Sequence, residues 1–383
     1  MHFAFTQDQR LIREAIADVV GECTTVDHAR HGANDDFDPV LWQRLAETGM
    51  LGVLVDTEQD GSGLGLVEVG CVLEVLGSAL ASGPYLPSSV VAASVLRGLP
   101  ESVGLARLPA EIALGRRIVC PLLPVGPAGA TIERRAGRAT ISGAFAPVLY
   151  GAQADLFLLA AHDAGRAEPT VLLLPCNVAG VDASDIATPD RSRRLACVRL
   201  DRVEVAAAQE LPSAGPALAA APRVAAAALA AEMLGGASRV LDLACDYARE
   251  RQQFGQPIGR FQAIKHLLAD DKVHLEGLRS LVYAALWHLD HTTPEAAALV
   301  AAAKACASDV CVRIASDAIQ VFGAMGIAAE SVPHLYLKRA QVDRSLFGSA
   351  SHHYAALAAD LAGARANQES AAAQPSSTGG DRS

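Results

Sequence analysis

The chain has 383 residues, of which 51% are hydrophobic and 19% charged, and a formal net charge of −10. That composition is ample for a sizeable core and excludes a mainly disordered chain; at ~100–200 residues per domain the length allows two or three domains. Lys and Arg form no basic block and aromatics are only 4% of the residues, so nucleic-acid binding is not expected.

The eight cysteines lie far apart, with no C-x-x-C and no Cys/His spacing of zinc type. They read as small buried hydrophobes in a reducing compartment, and no metal site is expected. The start, MHFAFTQDQR, lacks a basic stretch followed by an apolar run, so no signal peptide is expected. Arg, Glu and Asp interrupt the Ala-rich stretches too often for a membrane span. These readings together place the protein in the cytoplasm.

From Thr6 to about Leu96 the pattern is helical. Ile12, Ile16, Val19 and Val20 recur at three- and four-residue steps, and Trp42, Leu45 and Met50 mark a second amphipathic stretch. The run Asp60–Leu66 (DGSGLGL) predicts a turn and a helix start, and Val67–Leu80 a buried helix. Near Arg117 the signal changes. Arg117–Leu123, the alternation at Ala139, Ile141 and Gly143, Leu156–Ala160, Thr170–Leu174 and Val198–Val205 read as short strands of a small antiparallel β domain. From about Ala217 the chain is helical again. Ala225–Glu250 is one long helix containing Gly235 and Gly236, and two interior glycines suggest that another backbone approaches closely there. Gly255, Pro257 and Gly259 stop it; further helices follow from about Phe261 to Asp290 and from Pro294 to Phe322. The Ala/Gln/Ser/Gly-rich end from Arg365 reads as a disordered tail. The expected organisation is a helical domain over 1–116, a middle β domain over 117–212, a helical bundle over 213–364 and a tail over 365–383, an α+β chain that is mostly α and has no parallel sheet. No G-x-G-x-x-G follows a strand, and no G-x-S-x-G, H-E-x-x-H or P-loop appears.

The most informative string is Tyr247–Asp270, YARERQQFGQPIGRFQAIKHLLAD: a helix end, a Gly/Pro loop and a new helix. Arg251 emerges beside the loop, where a guanidinium can fork onto phosphate oxygens, with Phe254 as an apolar plate next to it. Gln262 falls in the first turn of the next helix, where free N–H groups and the helix dipole favour an anion. By residue type alone, an Arg at a helix end is more often a solvated charge than a ligand.

This string resembles the acyl-CoA dehydrogenase family, whose members carry R-x-x-F-G, a Gly/Pro loop, F-Q and a helix ending in L-A-D. A second block, Gln320–Arg339 (QVFGAMGIAAESVPHLYLKR), is similar to the family's Q-x-x-G-G-x-G followed by a Glu and an Arg-bearing helix, with Ala324 at the second glycine. FTQDQRLIREA, WQRLAETGMLGVLV and LEVLGSALASGPYLP support the likeness in the N-terminal half, so that it runs from about Phe3 to about Leu361. The resemblance implies an N-terminal helical domain, a small middle β-barrel and a C-terminal four-helix bundle. It implies FAD as cofactor and α,β-desaturation of an acyl-CoA thioester, with a carboxylate removing the α-proton. It also implies that Arg251, Phe254, Gln262, Gln320 and Gly323 reach across a dimer interface to the adenine-diphosphate end of the neighbour's FAD, and that an electron-transferring flavoprotein is the acceptor.

Two departures from the family pattern stand out. Gly348, in the turn Phe347-Gly348-Ser349-Ala350, takes one usual position of the catalytic Glu, and Ala225 falls at the other. Neither residue can accept a proton. Glu232, Asp242 and Asp343 are the nearest carboxylates in sequence, and each reads by default as a paired or solvated charge. The Thr-Glu and Trp strands that flank the flavin in the family are replaced by Cys120–Ala130 and Ile141–Asp155, which lack both. By resemblance the chain is therefore the base-lacking subunit of a hetero-oligomeric acyl-CoA dehydrogenase, its partner a homologous subunit with the catalytic Glu, of the kind known in actinobacterial steroid or lipid catabolism. The alternatives are a structural subunit that completes a partner's FAD site and a flavin oxidase or monooxygenase on the same fold. Adjacent His352 and His353 point about 100° apart on a helix and are not expected to share a metal; Cys306 and Cys311 do not face each other; Glu330 reads as a structural hydrogen-bonder, and Trp42 and Trp287 as core.

Overall fold

The computed structural model describes residues 5–372 apart from 24–25, 27–28, 31–36, 98, 100–104, 106, 125–128, 136–137 and 213. The first helix, α1 (Gln7–Gly21), starts where the Thr6 hydroxyl accepts from the Gln9 N–H and the Gln9 side chain returns to the Thr6 N–H, a reciprocal capping box. Helix α2 (Pro39–Glu47) is capped by Asp38 and carries Pro39 in its first turn. Helix α3 (Leu66–Ser78) begins after the glycine-rich turn, as expected. A π-helical segment, Tyr85–Ala92, then runs into α4 (Ala93–Arg97), and α5 (Leu108–Ala113) closes the domain.

Seven strands follow: β1 (Val119–Leu122), β2 (Ala130–Arg135), β3 (Arg138–Leu149), β4 (Leu156–Asp163), β5 (Thr170–Pro175), β6 (Val181–Ile186) and β7 (Leu195–Val205). The sheet is mixed, not antiparallel throughout. β3 and β7 pair antiparallel at its centre, but β4 runs parallel to both β1 and β2. The β2–β3 hairpin intervenes between β1 and β4, and a connection of that length lets β4 return in the direction of β1. β2 and β6 are strands that the sequence pattern does not announce: β2 buries only alternate residues at its start, and β6 buries none.

The C-terminal part opens with α6 (Gly215–Glu250), joined to α7 (Gln262–Asp290) by a hairpin of two two-residue strands, β8 (Gln252–Gln253) and β9 (Gln256–Pro257). Helices α8 (Ala296–Phe322), α9 (Pro333–Asp343) and α10 (Ala350–Ala372) complete it. α6 is long and apolar enough to cross a bilayer, but residues 224–235 are buried without a break inside the protein. The expected disordered tail is corrected as far as Ala372, because α10 continues through the Ala-rich stretch, whose Ala, Gln and Glu are strong helix formers; residues 373–383 lie outside the described residues.

The paired glycines of α6 do what their sequence suggests. A Cβ on Gly235 would lie 1.8 Å from the Glu74 carbonyl oxygen of α3, and one on Gly77 would lie 1.9 Å from the Glu232 carbonyl oxygen of α6. The two helices thus cross backbone to backbone. The start of α3 is held by α7: Asp290 accepts from the Leu66 and Val67 N–H groups at 2.7 and 3.2 Å. One hydrophobic cluster extends from Ile16 and Trp42 through Phe157 and Leu172 of the sheet to Leu286 and Ile314 of the bundle. Trp42 is core and donates to the Gly115 carbonyl at 3.1 Å, whereas Trp287 stacks on His291 at its helix end.

Candidate active site and cofactor-binding end

Five residues singled out by sequence meet at one end of the bundle. Arg251 caps α6 at its C-terminus, its own N–H donating to the Tyr247 carbonyl at 2.8 Å. Phe254 and Gly255 are the central pair of the β8–β9 turn, with φ of 51° and 76°, the positive values that a tight primed hairpin requires. That turn throws the Phe254 ring outward, 93% exposed. Gln262 is the first residue of α7 and Gln320 lies in the last turn of α8, both exposed. Gly323, with φ +62°, ends α8 and has nothing within 4 Å of a would-be Cβ. Tyr247 stacks on Phe322 at 4.2 Å, and this contact clamps the α6 end that bears Arg251 to the α8 end that bears Gln320 and Gly323.

The chemistry of this end fits a dinucleotide. The Arg251 guanidinium pairs with no carboxylate among the described residues, so its fork is free for phosphate. Gln262 brings an amide to a helix N-terminus, whose unpaired N–H groups attract anions. All five residues face solvent or are unobstructed, and so are open to a ligand.

A separate cavity of about 460 Å³ opens where the three parts of the chain meet. Pro87, Pro121, Pro124, Pro147 and Pro222 give it stiff apolar walls, and the turn Ser345–Ser349 closes one side. None of the five residues above lines it. Gly348 does, with φ +101°, and a Cβ there would meet His353 Nε2 at 2.7 Å and His352 Cδ2 at 2.8 Å. Ala225 is fully buried in α6 and does not reach the cavity.

The turn is fixed from beneath by Lys304, which is itself fully buried. Its ammonium donates to Ser308 Oγ at 3.0 Å, to the Gly348 carbonyl at 3.2 Å and to the Arg344 carbonyl at 3.4 Å. Burial pushes its pKa down to about 8, and Asp343 opposes that shift. His353 Nε2 donates to the Phe347 carbonyl at 3.0 Å, and burial holds its imidazole below the usual range.

The carboxylates nearest in sequence to the expected base positions lie away from the cavity. Glu232 and Asp343 belong to a buried ion cluster that joins all three parts of the chain. Arg339 donates to Asp190 at 2.7 Å, to Glu232 at 2.8 Å and to the Ala81 and Ser192 carbonyls at 3.2 and 3.0 Å. Arg193 pairs with Glu232, and its Nε lies 3.1 Å from Asp343. Burial works against both guanidinium charges, and the surrounding carboxylates outweigh it. Asp343, 1% exposed, is pushed up by burial to about 7 while Arg193 and Arg339 pull it back. Asp242 is exposed on α6. None of the three lines the 460 Å³ cavity. The cluster escapes sequence reading because its three segments, around residues 190–193, 232 and 339–343, are far apart in the chain; Lys304 leaves a fainter trace, as the single charge in the apolar run Ala296–Ser308.

Comparison with known proteins agrees with this arrangement. The N-terminal domain model of acyl-CoA dehydrogenase matches residues 6–100 and the C-terminal domain model residues 223–362. The acyl-CoA dehydrogenase IpdE2 of Mycolicibacterium smegmatis is 29% identical over 349 residues, covering 90% of this chain and 95% of that one. One chain of the ChsE4–ChsE5 complex of Mycobacterium tuberculosis superposes with a TM-score of 0.87 at 27% identity, covering 94% of this chain and 99% of that one. A variant of the Tcur3481–Tcur3483 steroid ACAD superposes with a TM-score of 0.83 at 25% identity over 94% and 99% of the two chains. A helical bundle beside a mixed sheet and family-model matches over both helical parts leave one assignment: the chain belongs to the acyl-CoA dehydrogenase family of oxidoreductases, with FAD as its cofactor.

Proposed function

We propose that this chain is the base-lacking subunit of a hetero-oligomeric acyl-CoA dehydrogenase, whose homologous partner carries the catalytic Glu. The observation that carries the reading is Gly348. At the family's base position the backbone has φ +101°, and a Cβ there would meet two imidazoles at 2.7 and 2.8 Å, so a carboxylate stem is strained and needs both rings to shift. The five residues of the proposed cofactor-binding end are exposed, and none of them lines the cavity. FAD, when bound, supplies the hydride acceptor for desaturation. This chain's part is to hold it: Arg251 on the diphosphate, Gln262 beside it at the α7 N-terminus, and Phe254, Gln320 and Gly323 toward the adenine end. The partner's carboxylate takes the α-proton.

The similarity to a chain of the ChsE4–ChsE5 complex and to the Tcur3481–Tcur3483 steroid ACAD supports a hetero-oligomer acting on a large apolar acyl-CoA, in steroid or lipid catabolism. We further propose an electron-transferring flavoprotein as the acceptor and a cytoplasmic location, which the eight free cysteines support. The test is co-purification with a Glu-bearing homologue and assay of acyl-CoA-dependent dye reduction. Replacing the partner's Glu by Gln should abolish turnover. Turnover that survives that replacement, or that this chain delivers alone, contradicts the reading.

A further inference from the structure

The buried ion cluster has one member out of balance. Three carboxylates, Asp190, Glu232 and Asp343, meet two guanidiniums, Arg193 and Arg339. Arg339 is committed to Asp190, Glu232 and the Ser192 carbonyl, and Arg193 donates its Nη2 to Glu232. Glu232 therefore takes both guanidiniums. Asp343 is 1% exposed, yet neither of its oxygens accepts a hydrogen bond among the described residues; Arg193 Nε, 3.1 Å away, makes none to it. A buried carboxylate without hydrogen bonds is costly when ionised, so the protonated acid is the lower-energy form, and burial raises its pKa to about 7. The groups that face Asp343 come from every element around it. Asp190 and Arg193 lie on the loop before β7, Glu232 on α6, Lys304 and Cys311 on α8, and Arg339 on α9 with Asp343 itself. The two arginines and Lys304 favour its ionisation, the two carboxylates oppose it, and the Cys311 thiol is kept neutral by burial. Asp343 also ends α9, directly before the turn Ser345–Ser349 that walls the larger cavity. Lys304 ties that turn down through the Arg344 and Gly348 carbonyls.

We propose that Asp343 is a proton-operated latch between the middle β domain and the helical bundle. With the proton in place, Arg193 is left to Glu232, and the loop that carries Asp190 and Arg193 stays docked on α6 and α9. Loss of the proton to solvent gives Arg193 a second anion. That anion draws the guanidinium from Glu232 toward the end of α9 and loosens both the loop and the turn that follows Asp343. The latch works wherever the flavin sits, so it stands or falls apart from the proposed function.

Trp42 is the reporter. Its ring lines a small cavity together with Arg193 and Glu232, and the chain has only one other tryptophan, Trp287. In the full chain carrying Trp287→Phe, Trp42 emission is titrated from about pH 5 to about pH 9, with circular dichroism confirming that the fold persists. The proposal expects one reversible change in emission centred near pH 7, absent when Asp343→Asn is added. Emission that does not vary with pH overturns it. So does the same transition in the Asp343→Asn chain, in which Lys304 still titrates. Should the Asp343→Asn chain fail to fold, infrared difference spectra of the Trp287→Phe chain decide. A protonated-carboxyl carbonyl stretch that vanishes with the midpoint of the Trp42 transition supports the latch, and the lack of such a band, or a different midpoint, overturns it.

Discussion

Restoring the family's carboxylate at Gly348 should fail, and the reason can be put in numbers. Gly348 has φ +101°, outside the region that L side chains adopt, so any Cβ there carries strain of about 1–3 kcal/mol. The same Cβ would stand 2.7 Å from His353 Nε2. Relief requires His353, only 8% exposed, to abandon its hydrogen bond to the Phe347 carbonyl, a loss of about 1 kcal/mol. Gly348→Glu should therefore destabilise the chain by about 2–4 kcal/mol and confer no acyl-CoA dehydrogenation on it. Gly348→Ala should cost nearly as much, because the obstruction is at Cβ and not at the carboxylate. Denaturant unfolding gives the stability, and dye reduction with an acyl-CoA gives the activity. A Gly348→Glu chain of wild-type stability that turns over substrate alone would refute the argument.

Three further outcomes follow from the same geometry. Arg251→Ala should leave the unfolding of the isolated chain unchanged but weaken flavin retention in the complex roughly 10- to 150-fold, the value of a charged hydrogen bond worth about 1.5–3 kcal/mol; dialysis followed by absorbance measures it. Gly235→Ala sets two effects against each other. Helix propensity favours Ala by about 1 kcal/mol, but the Glu74 carbonyl 1.8 Å away forces α3 from α6, so the variant should be destabilised by about 3 kcal/mol or more in a melt. Asp343 supplies a pH dependence. Burial raises its pKa to about 7, so its folded form holds a proton that the unfolded form releases. Its contribution is complete below the unfolded carboxylate range and is lost as pH rises through about 7. Unfolding free energy should fall between about pH 4 and 7 and level off above that, and Asp343→Asn should flatten the slope.

The long helices were legible because their stops are local. Gly255, Pro257 and Gly259 end α6, and the periodic apolar face of α7 begins directly after them. The glycine pair at 235–236 announced a close backbone crossing, and only the identity of the partner, α3, needed the structure. The sheet was harder. β2 and β6 place charged residues on exposed faces and bury little, so period-2 alternation is too weak to find them. The π-helical segment Tyr85–Ala92 is buried throughout and shows no amphipathic period at all. At the candidate site, the motif singles out Arg251 and Gln262, and the count after Arg339 singles out Gly348. The ion cluster was not legible, because the loop with Asp190 and Arg193, the helix with Glu232 and the helix with Arg339 and Asp343 are far apart in the chain, and each charge looks like an ordinary surface charge until the fold removes its water.

The central claim is that this chain grips a flavin nucleotide for its neighbour and does not complete a flavin site by itself. The flavin-to-chain ratio of the purified protein, read from visible absorbance alone and after co-expression with a Glu-bearing homologue, tests it most directly. The account predicts a nearly colourless chain alone and a yellow complex with fewer flavins than chains. A lone chain carrying one flavin per polypeptide would contradict it.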